Sequence, residues 1–263
     1  MSLGIIVKCP EGLVLAAESR VTINANTPLG PVHNNFDNAK KLLAFSGPHK
    51  YIGAITYGLG SLNLRTAQSF MPEFESSLPA NRISVEGFAN LMSNFFMEQW
   101  KAEKMPKPDQ FKNSPMVFLV AGFDENEPYG KVYEFHIPNN PMPKVIRETK
   151  DFGVNWGGQR ELVDRLIKGY DERIISVVQQ ELNLDPTKMA EIVQKLVPFQ
   201  LQIPIQIMAL QDCVNLASYI LKTTIRGQEL TLGVRGCGGN IDLAVITRTE
   251  GIEFIKKKEL QVM

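Results

Sequence analysis

Histidine and cysteine are scarce: three of each in 263 residues leave little material for a metal centre. Cys9, Cys213 and Cys237 form no CxxC pair, and His33, His49 and His136 share no metal-ligand spacing. Neither a metal nor another cofactor is expected. The opening Met1-Ser2-Leu3-Gly4 lacks a basic stretch leading into an apolar core, so no secretory leader is expected. Free thiols in a reducing cytoplasm follow as the expected state, with Cys213 a small core residue in an apolar helical run. No apolar run approaches the roughly 20 residues that cross a bilayer, which argues against a membrane partner. Excess charge is missing too. Lysine plus arginine and aspartate plus glutamate number 28 each, so no overall field draws the chain to nucleic acid. The densest basic run, Lys256-Lys257-Lys258, reads as a solvated tail. No phosphate-loop pattern follows a strand, and Gly58-Leu59-Gly60-Ser61 reads as turn geometry.

What is present is an ordinary globular composition, 44% hydrophobic and 21% charged. Without an internal repeat, low-complexity tract or linker, one domain spanning 1–263 is expected. Leu3 to Lys8 and Leu13 to Ala17 are apolar runs around the turn Cys9-Pro10-Glu11-Gly12, a β-hairpin covered on both faces. An Asn-, Pro- and Gly-rich loop is expected from Asn24 to Asn38, then strands at Lys41 to Phe45 and Tyr51 to Tyr57. Three- and four-residue spacing predicts helices over Leu59 to Ser77 and Ser84 to Glu103. In the second, Ser84 is the N-cap and Phe88, Leu91, Met92, Phe95 and Phe96 form the buried stripe.

Strands return at Met116 to Phe123, Lys131 to His136 and Lys144 to Glu148. Trp156-Gly157-Gly158-Gln159 reads as a turn into a helix from Arg160 to about Glu181, and Asp185-Pro186 opens another amphipathic piece. A long helix is expected from about Gln206 to Ile225, then a closing hairpin of Ile241 to Arg248 and Gly251 to Ile255. Grouped strands and grouped helices favour α+β layering with antiparallel pairing over a βαβ sheet.

Several of these pieces resemble the proteasome-type β subunits. They are Gly4-Ile5-Ile6-Val7-Lys8, the run from Gly12 to Thr22, Lys40-Lys41-Leu42, Ala54-Ile55-Thr56-Tyr57-Gly58, and the run from Gly238 to Arg248. The resemblance implies the N-terminal-nucleophile (Ntn) hydrolase fold, a four-layer αββα sandwich of two antiparallel sheets flanked by helices. Residues near 181–206 look like an insertion into that pattern.

In this family the first residue of the mature chain supplies a hydroxyl nucleophile and its own α-amine is the general base. A lysine assists deprotonation, an acidic residue positions the lysine, and a glycine N–H stabilises the oxyanion. By position Glu18 matches the acidic residue, Lys41 the lysine and Gly58 the oxyanion glycine. Ser2, freed by removal of Met1, is the candidate nucleophile. It lies two residues before Gly4, where the family places its nucleophile four before, and it keeps the strand parity.

The chain departs from catalytic members at Trp156-Gly157-Gly158-Gln159, where they carry a Gly-Ser-Gly-Ser-like turn. It departs again at Val234-Arg235-Gly236-Cys237, where they carry an aspartate and a serine. Thr22, Ile23 and Ala54 are the candidates for shaping specificity. The expected function is that of a ring-forming, proteasome-like subunit in proteolysis, either a peptidase using Ser2 on peptides or unfolded proteins, or a catalytically silent shell. Self-association into rings is the expected partnership, with a related subunit or an ATPase cap as further partners.

Overall fold

The computed structural model describes residues 2–27, 30–232 and 235–259. In chain order the strands and helices are β1 (Leu3–Cys9), β2 (Gly12–Ala17), β3 (Val21–Thr27), β4 (Gly30–Phe36), β5 (Leu42–Ala44), β6 (Ile52–Gly58), β7 (Ser61–Leu62) and β8 (Arg65–Thr66). There follow α1 (Met71–Ser77), α2 (Val85–Ala102), β9 (Met116–Gly122), β10 (Lys131–Ile137), β11 (Asn140–Arg147) and β12 (Gly153–Gly158). The remainder are α3 (Glu161–Ile167), α4 (Arg173–Glu181), α5 (Pro186–Leu196), α6 (Leu210–Glu229), β13 (Asp242–Thr247) and β14 (Gly251–Lys256). The chain divides into two compact units, Met1–Gly158 with Ile205–Met263, and Gln159–Pro204.

The larger unit holds two five-stranded antiparallel sheets, ordered β12-β1-β2-β13-β14 and β11-β10-β9-β6-β5. Their near-continuous apolar strands are explained by cover on both faces. Ile6, Leu13, Leu15 and Ala17 of the first sheet meet Leu42, Ile55, Leu119 and Ala121 of the second. The alternate positions Ile5, Val7, Val14 and Ala16 are equally buried, on the side where α6 packs against β1 and β2. In the second sheet Ile52, Ala54, Phe118, Val120 and Phe135 share a separate core with Phe88, Met92 and Phe96 of α2. Edge-to-face rings knit that core: Phe88 lies 4.7 Å from Phe45 and 5.4 Å from Phe74. The Ser84 hydroxyl caps α2 by accepting the Gly87 N–H at 3.0 Å. Leu91 falls outside the stripe, 39% exposed, because Met92, four residues from Phe88, takes the inward position.

Several local expectations change. Residues read as the Asn24 to Asn38 loop form the two-stranded β3–β4 ribbon, with Val21 opposite Phe36 and Thr27 opposite Gly30. Asparagine-rich runs have low strand propensity, and this pair is held by its own ladder outside both sheets. The expected helix over 59–77 keeps only its end as α1. Before it come the short β7–β8 hairpin, with Asn63 at φ +50°, and a 3₁₀ turn over Ala67–Phe70. Trp156-Gly157-Gly158 is strand rather than turn: it completes β12 and pairs with Ile5, Gly4 and Leu3.

In the smaller unit, the helix expected from Arg160 to Glu181 is broken. Gly169 at φ +82° follows α3, and the Asp171 carboxylate accepts the Arg173 N–H at 3.1 Å as α4 begins. Asp185 caps α5 through the N–H groups of Thr187 and Lys188, at 2.9 and 3.0 Å. The α4 helix buries none of its residues.

One core feature has a pH signature. The Lys8 side chain is fully buried, its ammonium donating to the carbonyls of Glu148 and Thr149. Burial, the largest cause, lowers its pKa to about 8, with Asp151 opposing. Between that value and the ordinary lysine range the unfolded chain holds a proton that the folded chain has lost. Stability from this group therefore rises with pH across that window. Urea midpoints converted to free energy are expected to climb by up to about 3 kcal/mol, at about 1.4 kcal/mol per pKa unit. In Lys8→Met the climb is expected to flatten. An equally steep climb in that variant would assign it elsewhere.

Candidate functional site

Glu18 directly follows β2 and is 1% exposed. Its carboxylate gathers four donors, three of them from distant parts of the chain. One oxygen accepts the Leu3 N–H at 3.1 Å and the Lys41 ammonium. The other accepts the N–H of Arg20 at 2.6 Å and of Gly238 at 3.1 Å. Lys41, just ahead of β5, also donates to the Arg20 carbonyl. Burial pulls the Lys41 pKa down, outweighing the attraction of Glu18; Cys237 pushes it up and Lys258 down. Alongside, Arg20 holds Asp37 through two bonds of 2.6 and 2.7 Å, and that guanidinium lowers the pKa of the Asp37 carboxyl.

Ser2, Lys41 and Gly58 line one pocket, with Thr22 and Thr56 in its wall. Its volume of about 40 Å³ is room for a few waters. The structure thus places three of the four residues singled out in the sequence around one space. The fourth, Glu18, binds both Lys41 and the N–H next to Ser2. Gly58 ends β6 at φ +86°, and a Cβ there would sit 2.1 Å from the Pro115 carbonyl. Only glycine fits that backbone.

The unusual Gly157-Gly158 pair has a packing reason. Gly4 and Gly157 lie opposite one another across β1 and β12; a Cβ on Gly157 would strike the Tyr57 ring, and one on Gly4 would strike Ile55 beside it. Gly158, at φ +96°, touches the Ser2 carbonyl so closely that a Cβ would fall 1.8 Å from it. Where catalytic relatives are expected to carry hydroxyls, this chain has a slot for Tyr57 and a seat for Ser2.

Of the specificity candidates, Thr22 lines the pocket and the Ile23 side chain lies outside the described residues. Ala54 is a correction. It is fully buried in the core beneath α2, two residues too deep along β6. Thr56, on the same face, reaches the pocket instead, and its buried hydroxyl has no hydrogen-bond partner among the described residues.

Lys258 corrects the reading of a solvated lysine run: its side chain is 6% exposed and paired with Asp242 at 2.6 Å. Of the stretch from Val234 to Cys237, Val234 lies outside the described residues, and Met1 does as well. Cys213 is fully buried and, like Cys9, a free thiol. Among the described residues no group of three or more His, Cys, Asp or Glu is placed to hold a metal. No described helix is long and apolar enough to cross a membrane.

No protein-family model matches the chain, and no curated protein matches it. A solved structure does. A mutant of Anbu from Hyphomicrobium sp. strain MC1 is similar over 98% of this chain and 86% of its own, with TM-score 0.57 and 13% identity. The likeness is one of fold. That fold is a mixed α+β arrangement of antiparallel sheets and helices.

Proposed function

We propose that this chain is a ring-forming, proteasome-like subunit with the four-layer αββα arrangement of the Ntn hydrolases, and that it hydrolyses peptide bonds through Ser2. The observation that carries this reading is the shared pocket of Ser2, Lys41 and Gly58, with Glu18 bonded to both Lys41 and the N–H of Leu3.

With Met1 removed, the free α-amine of Ser2, whose reference pKa is about 8, accepts the hydroxyl proton. The Ser2 oxygen attacks the scissile carbonyl, and the Gly58 N–H stabilises the oxyanion. Lys41, its charge disfavoured by burial and balanced by Glu18, assists deprotonation of the hydroxyl. The amine returns the proton to the departing peptide nitrogen, leaving an ester on Ser2. Water, deprotonated by the same amine, cleaves that ester and regenerates the serine.

A silent shell of the same fold is favoured by one observation: all four donors on Glu18 serve structural bonds, so the ion pair has a purpose without chemistry. Peptide turnover separates the two. The peptidase reading expects cleavage of an unfolded protein or peptide library that disappears in Ser2→Ala while the fold and particle size persist. Cleavage unchanged in Ser2→Ala, or none in a chain freed of Met1, rejects it. Ring formation is read by native mass: a multi-subunit particle is expected, and a monodisperse monomer at high concentration contradicts it.

A further inference from the structure

Glu18 and Lys41 lie on different segments, and their registry depends on what ties those segments together. One tie is direct: the Ala39 N–H donates to the Ser19 carbonyl at 3.0 Å. A second comes from far along the chain. Beyond β14 the chain runs on beside the start of β13, and the Lys258 N–H donates to Asp242 at 2.8 Å. The Lys258 ammonium then reaches three acceptors, Asp242 at 2.6 Å, the Ser19 hydroxyl at 2.9 Å and the Ala39 carbonyl at 2.5 Å. An ammonium has three donors, so this one is saturated. The Ser19 hydroxyl, accepting from Lys258, donates onward to the Asn240 carbonyl at 2.5 Å. Both Lys258 and Asp242 are almost wholly buried, 6% and 5% exposed at the side chain.

The placement is specific. Ser19 directly follows Glu18, and Ala39 lies two residues before Lys41. One cation therefore bridges the two segments that carry the proposed acid and lysine, and its counter-charge sits at the first residue of β13. A buried ion pair is costly to assemble and contributes little net stability against apolar residues of the same size. Its use here is geometric.

We propose that Lys258, held by Asp242, is a positioning residue that sets the Glu18–Lys41 pair. The claim rests on the reading of that pair as the proposed site. Lys258 does not itself line the pocket; it acts through Ser19 and through Ala39, whose carbonyl it holds and which does line the pocket. The charged and titratable groups that bear on Lys41 are Glu18, Cys237 and Lys258, with Asp37 as a further, weaker charge beside it.

The test compares the full-length protein with Lys258→Met and with the double variant Asp242→Asn/Lys258→Met. The double variant leaves no unpaired buried carboxylate and so guards against simple unfolding. Exchange of the Ala39 amide is expected to accelerate at least about fivefold, the factor corresponding to one typical hydrogen bond. Amides of α2 and β9 are expected to keep their wild-type rates. Side-chain NMR of isotope-labelled lysine then follows Lys41. Its titration is expected to move up toward the ordinary lysine range, because loosened segments let water reach the ammonium and relieve its burial, the largest cause of its lowered pKa.

A folded double variant in which Lys41 titrates as in the wild type overturns the proposal, whatever the exchange rates, and reduces Lys258 to a staple for the chain after β14. Lys41 is observed directly, so the outcome does not depend on whether Ser2 reacts. An unreactive Ser2 together with a shifted Lys41 would sink the peptidase reading and leave the positioning role standing.

Discussion

Lys41→Met is expected to lower stability by about 3 kcal/mol, because it leaves the Glu18 carboxylate buried without its cation. The thermal midpoint should fall by roughly 6–12 °C for a unit of this size. Three backbone donors, from Leu3, Arg20 and Gly238, remain on the carboxylate but carry no full charge. The double variant Glu18→Gln/Lys41→Met removes both charges and should recover much of the loss. That non-additivity is the signature of a direct pair. Calorimetry of the four proteins in the cycle measures it; additive losses would mean that the two side chains act separately. In the peptidase reading both variants also stop acylation of Ser2, the single variant beyond what its stability loss explains. A shell would show the stability cycle and nothing else.

Gly58→Ala should produce the second large effect, by a different route. The residue sits at φ +86°, where a side chain is strained, and the added carbon would lie 2.1 Å from the Pro115 carbonyl. The end of β6 must shift, at a cost of about 2 kcal/mol or more. The peptide N–H moves with it. Loss of one oxyanion donor typically slows acyl transfer by about 100- to 1,000-fold, so acylation is expected to fall by that order. Substrate binding should fall far less. The ratio of the two, from pre-steady-state kinetics, decides the role: equal losses would describe a misfolded pocket rather than a misplaced donor.

Much of the frame was legible because its signals are local and periodic. The β1–β2 hairpin, the α2 stripe with its Ser84 cap and the closing β13–β14 hairpin each follow from apolar spacing and turn residues. The site was legible only through resemblance, since no spacing rule connects Ser2 to Lys41 or Gly58. What escaped has physical causes. The β3–β4 ribbon is written in asparagines, whose local preferences favour turns. Thr56 was passed over for Ala54 because nothing along β6 marks in the sequence where the core gives way to the pocket. Lys258 was lost in a run of three lysines of which it alone pairs with an aspartate, Asp242, at a separation of 16 residues. Gly157 looked like a missing catalytic serine, and its reason, the Tyr57 ring opposite, is a contact between sheets that no single segment records.

Peptide cleavage by this chain requires Ser2 to be a reactive first residue. The most direct measurement treats the purified protein with an acylating electrophile and reads the N-terminal peptide by tandem mass spectrometry. The peptidase reading predicts a peptide beginning at Ser2 with one acyl group on that serine, and no adduct in Lys41→Met. A peptide that retains Met1 and carries no adduct would contradict it, and would favour the reading of this chain as a silent shell.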